Sequence, residues 1–308
     1  MILYQWRGAA SNFGDELNAA LWPKLLPDFF DNDPSIRFLG IGSVLDSRHG
    51  SAGSKIVAGA GYGGYEPRAR LDRTWIVHWV RGPRTARSLG LPESMGLGDP
   101  ASLLPDAGFA RAAPTGAHSG FMPHFESMAR GDWARAATLA GVELIDPRGD
   151  PAEIVAAIGR CRVLLSEALH GAIAADTLRV PWVPMRPLAP THRAKWADWG
   201  DSLGLRIDFA PLVPSSVQEA REGWRGWAPV RPDAARLLDD AAGSLAAAAR
   251  RAPTLSSDAA LDRARARMAH RLALLRRDPL AGVRGIAEPR GRSLGWLPNR
   301  LQPAGRFA

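Results

Sequence analysis

The stretch Val163-Leu164-Leu165-Ser166-Glu167-Ala168-Leu169-His170-Gly171 decides the fold. Three apolar residues in a row read as a short interior strand, and Ala168 to Leu178 is rich in helix formers, so a buried strand turns into a helix within this segment. Ser166 is placed to cap that helix. A helix start offers unpaired backbone N–H groups and a positive dipole end, so an anion docked there would meet His170 at close range. The same residues also suit a capped core helix with a satisfied histidine, and the rest of the chain has to decide between the two.

Outward from this corner, short apolar runs alternate with helical stretches. Strands are expected at Ile2 to Trp6, Ile36 to Leu39, Lys55 to Ala58, Trp75 to Val80, Gly120 to Met122, Val142 to Ile145, Val163 to Leu165 and Trp182 to Met185. Helices are expected near Asp15 to Leu26, Pro83 to Leu89, Pro151 to Arg160 and Ala168 to Leu178. That alternation belongs to an α/β protein with mainly parallel sheets covered on both faces. A small, turn-rich run from Leu104 to Ala117 precedes a fresh start of the pattern, which divides the chain into domains at 1–112 and 113–210. Residues 211–308 read as a helical, basic extension, with helices at Asp233 to Arg251 and Asp258 to Arg277 and then a Gly/Pro/Arg segment.

Charge narrows the function classes. The chain of 308 residues carries a formal charge of +8, but Arg250 to Ala308 holds 13 Arg against four acidic residues, a net +9. Residues 1 to 249 hold 26 basic and 27 acidic groups, a net −1. A phosphate-tracking groove needs basic residues spread over the domain surface, so no nucleic-acid partner is expected. Within Asp258 to Arg277, Leu261, Met268, Leu272 and Leu275 form one stripe and Arg263, Arg267 and Arg271 line another face. This helix either packs on the body with its arginines in water or lies on an anionic membrane surface. The lone Cys161 fits a reducing compartment, no apolar run reaches the ~18 residues of a membrane span, and Met1 to Trp6 lacks a signal-peptide pattern. A cytoplasmic protein is expected.

Two further strand-to-helix corners accompany the first, and in open α/β sheets ligands lie beyond the carboxyl ends of strands. At Asn12-Phe13-Gly14-Asp15, Gly14 permits close backbone approach, and Asn12 or Asp15 can cap a helix or contact a hydroxyl. At Arg81-Gly82-Pro83-Arg84, Pro83 suits the first helical position, leaving Arg81 at a strand end where its guanidinium can grip a carboxylate or phosphate. His124 and Lys195, the latter flanked by Trp196 and Trp199, are further candidates for a cleft, although core packing is the simpler reading of either indole. Gly40 to Ser43 and Gly59 to Gly64 read as tight loops, and His78 as structural. No cluster with metal-ligand spacing is visible, so no metal and no cofactor is expected.

The ordered set Asn12-Phe13-Gly14-Asp15, Gly40-Ile41-Gly42-Ser43, Val80 to Arg84, Gly98-Asp99-Pro100-Ala101, Pro123-His124 and Ser166 to Gly171, with Ala174-Ala175-Asp176 and Val180-Pro181, resembles the polysaccharide pyruvyl transferases over residues 1 to 205. The resemblance implies two Rossmann-like domains facing across a cleft, as in the GT-B glycosyltransferases. It implies transfer of pyruvate from phosphoenolpyruvate, as donor substrate, to two hydroxyls of a sugar, forming a ketal on an exopolysaccharide or its lipid-linked precursor. Arg81 matches the donor-binding arginine and His170 the general acid, with Leu169 backbone near the phosphate. Where some members carry Arg-Leu-His, this chain has Ala168-Leu169-His170, so one donor contact is either missing or supplied by another residue such as Arg84, Arg186 or Lys195.

The residues suit that chemistry. Protonating the methylene carbon of phosphoenolpyruvate creates positive character at C2 for a hydroxyl to attack, and a histidine is an effective proton donor near neutral pH. Glu167 and Asp15 are both available as the base, and Glu167 reads equally as a helix-start charge without a catalytic duty. A nucleotide-sugar glycosyltransferase is the main alternative, since fold does not fix reaction. The basic tail gives a further expectation, peripheral contact with the inner membrane face, and a purely binding module is the third reading.

Overall fold

The computed structural model describes residues 1–8, 10–110, 118–223 and 233–284. The expected boundary at 112/113 and the Gly/Pro/Arg end of the chain lie outside the described residues. The first half runs β1 (Ile2–Leu3), α1 (Phe13–Leu25), β2 (Ile36–Leu39), β3 (Ser54–Ala58), β4 (Trp75–Trp79) and α2 (Pro83–Ser88). The second runs β5 (Ser119–Met122), α3 (Phe125–Arg130), α4 (Trp133–Ala140), β6 (Glu143–Leu144), α5 (Pro151–Arg160), β7 (Val163–Ser166), α6 (Leu169–Thr177), β8 (Trp182–Pro184) and α7 (Arg193–Leu203). The chain ends with α8 (Val217–Gly223), α9 (Ala234–Ala248), α10 (Asp258–Arg277) and β9 (Val283–Arg284).

Two sheets result, ordered β1-β2-β3-β4-β9 and β6-β5-β7-β8. Every pairing is parallel except that of β9, which adds antiparallel to β4. Strands β4, β5 and β7 are buried along their whole length, as expected when helices cover both faces of a parallel sheet. The mixed α/β class read from the sequence is therefore the fold observed.

The halves share one core. Leu17, Leu21 and Trp22 of α1 join Ile76 and Trp79 of β4 in the same apolar cluster as Ile154 and Ile158 of α5 and Ala172 and Ile173 of α6. Helix α1 packs on both α5 and α6, which brings its first turn to the start of α6.

Three helices went unanticipated: α3, α4 and α7. Helices α3 and α4 are short, 6 and 8 residues, and give little periodicity to read; Trp196, Trp199 and Leu203 of α7 are buried at helical spacing, and Gly204 ends that helix with φ 67°. The strand expected over Ile2 to Trp6 keeps only Ile2–Leu3.

The C-terminal segment folds back onto the body. Helix α9 packs against α4, while α10 lies on β4 with Leu261, Met268, Leu272 and Leu275 buried. Arg265 pairs with Asp106 at 2.9 Å and Arg267 donates to the Ser94 carbonyl at 2.6 Å. The apolar stripe of α10 thus serves core packing, the first of the two readings, and only its polar face meets solvent. No described helix is long and apolar enough to cross a membrane.

Asp176 on α6 clamps this return. Its buried carboxylate accepts from Trp182 Nε1 at 3.0 Å and from Ser256 N and Oγ at 2.8 and 2.5 Å. Asp176→Ala leaves an indole and a backbone donor unpaired in the interior, each costing about 1–3 kcal/mol. Chemical denaturation is expected to show a loss of about 3 kcal/mol or more, and a loss below about 1 kcal/mol would show that the clamp does not hold the segment.

Candidate functional site

Strand β7 ends at Ser166, and the chain turns through Glu167 and Ala168 into α6. The expected cap is corrected here: Ala168 is the N-cap, with no side-chain hydrogen bond, because Ser166 still belongs to the strand and its Oγ donates to the Ala168 carbonyl at 2.7 Å. The first N–H groups of α6 are therefore uncapped by any described side chain. Gly171 is required at this turn, since a methyl group there would approach Met122 Sδ and Ser166 Oγ at 2.6 Å.

His170, in the first turn, is 14% exposed and is held on two sides. Its Nε2 lies 3.4 Å from Oδ2 of Asp99, which is fully buried and accepts from Ala101 N at 3.0 Å through its other oxygen. Its Nδ1 edge rests on Gly14, where a built methyl group would run into the ring. This is the physical reason for a glycine in the first turn of α1. Asn12 caps that helix, accepting from Gly14 N at 3.3 Å, and its Nδ2 donates to Asp15 Oδ2 at 2.7 Å. Burial pushes the Asp15 carboxyl up to about 6, opposed by the positive charge of His170, the Asn12 hydrogen bond and the charge of Lys195. Lys195 is half-buried on α7, and its charge also bears on His124, Glu126 and His192. Asn12, Gly14, Asp15, His170 and Lys195 thus gather at the facing starts of α1 and α6.

Other candidates are placed differently from the sequence-based expectation. Arg81 is not open at its strand end: it is 0% exposed, with Nε 3.0 Å from Asp198 Oδ2, Nη1 donating to Ser43 Oγ at 2.8 Å and Nη2 to the Tyr62 carbonyl at 3.1 Å. Asp198 also accepts from Thr85 N and Oγ1 at 2.9 and 2.6 Å. Methyl groups built on Gly61 and Gly82 would strike this network, so both glycines admit it. Glu167 is also enclosed, accepting from His124 N, Ser127 Oγ and Leu188 N at 2.8, 2.9 and 3.0 Å. Burial raises its carboxyl, opposed by those hydrogen bonds, and its observed work is to join α3 to the loop before α7. Leu169 is a core side chain, and Arg84 forms an exposed pair with Asp201 at 2.7 Å.

His124 stacks on His192, ring centroids 4.0 Å apart and planes 28° apart. His192 Nε2 is 3.1 Å from Glu126 Oε2 and its Nδ1 2.8 Å from the Tyr65 hydroxyl, a chain that links the first half to the second. His124, Glu126 and His192 present donor atoms within 4.8 Å of one another, a grouping the sequence gave no sign of. In-plane lone pairs of stacked rings do not converge at the ~2.1 Å of a metal bond. Burial first, then the charges of Lys195 and Arg130, lower the affinity of both rings for a proton, and the same charges oppose a cation.

Asp99, Tyr65, Glu126, His192 and Asp198 were assigned no role from the sequence. Only Asp99 carried a local signal, an acidic residue before Pro100 that caps the turn Pro100–Leu103.

A model of the polysaccharide pyruvyl transferase family matches residues 69–187, a span that includes Arg81, Asp99, Glu167 and His170. The succinoglycan biosynthesis protein ExoV of Rhizobium meliloti (strain 1021) is 34% identical over 227 residues, 73% of this chain and 72% of that protein. No solved structure matches the chain. Identity at that level over nearly three quarters of both proteins, with the family's match spanning the His170 corner, places this chain in the polysaccharide pyruvyl transferase family.

Proposed function

We propose that the protein transfers pyruvate from phosphoenolpyruvate to two hydroxyls of one sugar in an exopolysaccharide or its lipid-linked precursor, forming a ketal. In this reading the two parallel sheets are the Rossmann-like halves of a GT-B-like arrangement, working at the cytoplasmic side of the membrane, and no metal or cofactor takes part. The observation that carries it is the seat of His170, an imidazole between Asp99 and Gly14 at the uncapped start of α6, with Lys195 and Asp15 in electrostatic reach. A proton donor, a cation and free helix N–H groups converge there, which suits a small, multiply charged enol ester.

His170 delivers the proton to the methylene carbon, and a sugar hydroxyl bonds to C2. Asp15 takes the hydroxyl proton, since its carboxyl titrates close to neutrality and the enclosed Glu167 does not face an acceptor. Phosphate then leaves from C2 and the second hydroxyl closes the ring, its proton departing with the phosphate. Lys195 and the start of α6 hold the donor anion. Arg81, locked to Asp198, positions α7 and with it Lys195.

Phosphoenolpyruvate is expected to raise the melting temperature of the wild type, by an amount equivalent to about 2.7 kcal/mol at a hundredfold excess over Kd, and Lys195→Met to shrink that shift. With a glycolipid extract of the producing cell as acceptor, His170→Gln is expected to lower ketal formation about 100-fold or more, and Gly14→Ala to lower it at least ~10-fold by displacing the ring. Full activity in His170→Gln sinks the proposal.

The Asp15 carboxyl adds a pH dependence. Its value in the folded protein, about 6, exceeds the ordinary 3.8, so folding favours the protonated form. The stability this contributes is full below pH ~4, declines as pH rises and is gone above ~6, on the order of 3 kcal/mol in all. Urea unfolding of the wild type and Asp15→Asn across this range is expected to show a decline in their difference, and parallel curves would remove the assignment.

A further inference from the structure

A cavity of about 560 Å³ opens between α2 and the end of α7, lined by Arg84, Arg193, Arg206 and Asp201 around an apolar wall of Leu205, Ile207 and Phe209. Its volume is that of a small-molecule site. It is distinct from the His170 corner. Along α7, Arg193, Ala197 and Asp201 fall on one face, and at ~100° per residue Lys195 and Asp198 fall on another. The helix itself therefore separates the cavity from the groups that gather around His170.

The cavity's charge is unbalanced. Three guanidinium groups meet one carboxylate, and that carboxylate is already engaged by Arg84, with Nε 2.7 Å and Nη2 3.3 Å from its oxygens. Arg206 has no side-chain partner among the described residues. Arg193 is half-buried; its Nε is buried without a hydrogen-bond partner, and Nη2 makes one long contact, 3.4 Å, to the Pro187 carbonyl. Burial first, then the charge of Arg186, depresses its affinity for a proton. A planar fork with unfilled donors beside other cations is a site for a phosphate-type anion, which it grips through paired hydrogen bonds. The half-buried Leu205, Ile207 and Phe209 add a wall that water solvates poorly.

We infer that this cavity is a second anion site, separate from the donor site, for a diphosphate ester that carries an apolar group. This chemistry matches the diphosphate end of a lipid-borne saccharide, an identification that rests on the function proposed above. Phosphoenolpyruvate, small and without an apolar tail, belongs to the other face of α7.

Isothermal titration with inorganic pyrophosphate and with farnesyl diphosphate below its micelle concentration tests the assignment on the full chain. Wild type is expected to bind both, farnesyl diphosphate at least ~10-fold more tightly. Arg193→Met is expected to weaken both at least ~10-fold and Arg206→Met, at an exposed position that leaves folding intact, to weaken them in the same direction, while Lys195→Met leaves them unchanged. No binding, binding insensitive to Arg193 and Arg206, or loss in Lys195→Met overturns the site. Equal affinity for the two ligands overturns its apolar part. Titration with phosphoenolpyruvate in the same variants reads the donor site independently: failure there refutes the proposed function, whereas failure of the diphosphate arm refutes only this cavity.

Discussion

Arg81 and Asp198 form an ion pair with both side chains out of solvent, 0% and 3% exposed, and the arrangement of the site depends on it. Removing two charges from water costs several kcal/mol per ion, so such a pair is weak evidence for stability. What it supplies here is geometry. Ser43 and the Tyr62 carbonyl each accept from one of the other two guanidinium nitrogens, and Thr85 donates to both carboxylate oxygens, so every nitrogen and oxygen of the pair has a partner. It joins the end of β4 to α7 across 117 residues of chain. Lys195, on the same helix, is oriented by that attachment, and so is Arg193 on the opposite face.

The charges around His170 follow a consistent logic. Asp99 sits 3.4 Å from one ring nitrogen, at ion-pair distance for an imidazolium. Asp15 is close enough for the imidazole charge to bear on its titration, yet burial still pushes it up to about 6. His124 and His192 are driven toward the neutral form by burial and by Lys195. The fixed positive character of the corner therefore comes from Lys195 and the helix start, while the histidine pair contributes hydrogen bonding and stacking.

Much of the fold was legible because parallel strands buried on both faces write continuous apolar runs, and the helices between them carry caps and prolines. The spans Val163–Ser166, Pro151–Arg160 and Asp258–Arg277 show this directly. Helix α7 was not legible, since its apolar positions are mostly tryptophans with another plausible use. At the site, Gly14, Asp15 and His170 could be named from their corners, but not the reason for each. Asp176 stood inside a recognisable motif, yet its bonds to Trp182 and Ser256 belong to the packing of a distant segment.

By itself the sequence determined the α/β alternation, the strand-to-helix corners and a histidine in the first turn of a helix, all properties of neighbours along the chain. Only the tertiary structure decided that Arg81 is neutralised by Asp198, that Gly14 makes room for the imidazole, that Asp99 stands opposite it and that the basic C-terminal helix lies on the first sheet. Each of those contacts joins residues far apart in sequence. Local periodicity states which side chains turn inward, but which of them meet is settled by packing density and by the need to pair every buried charge.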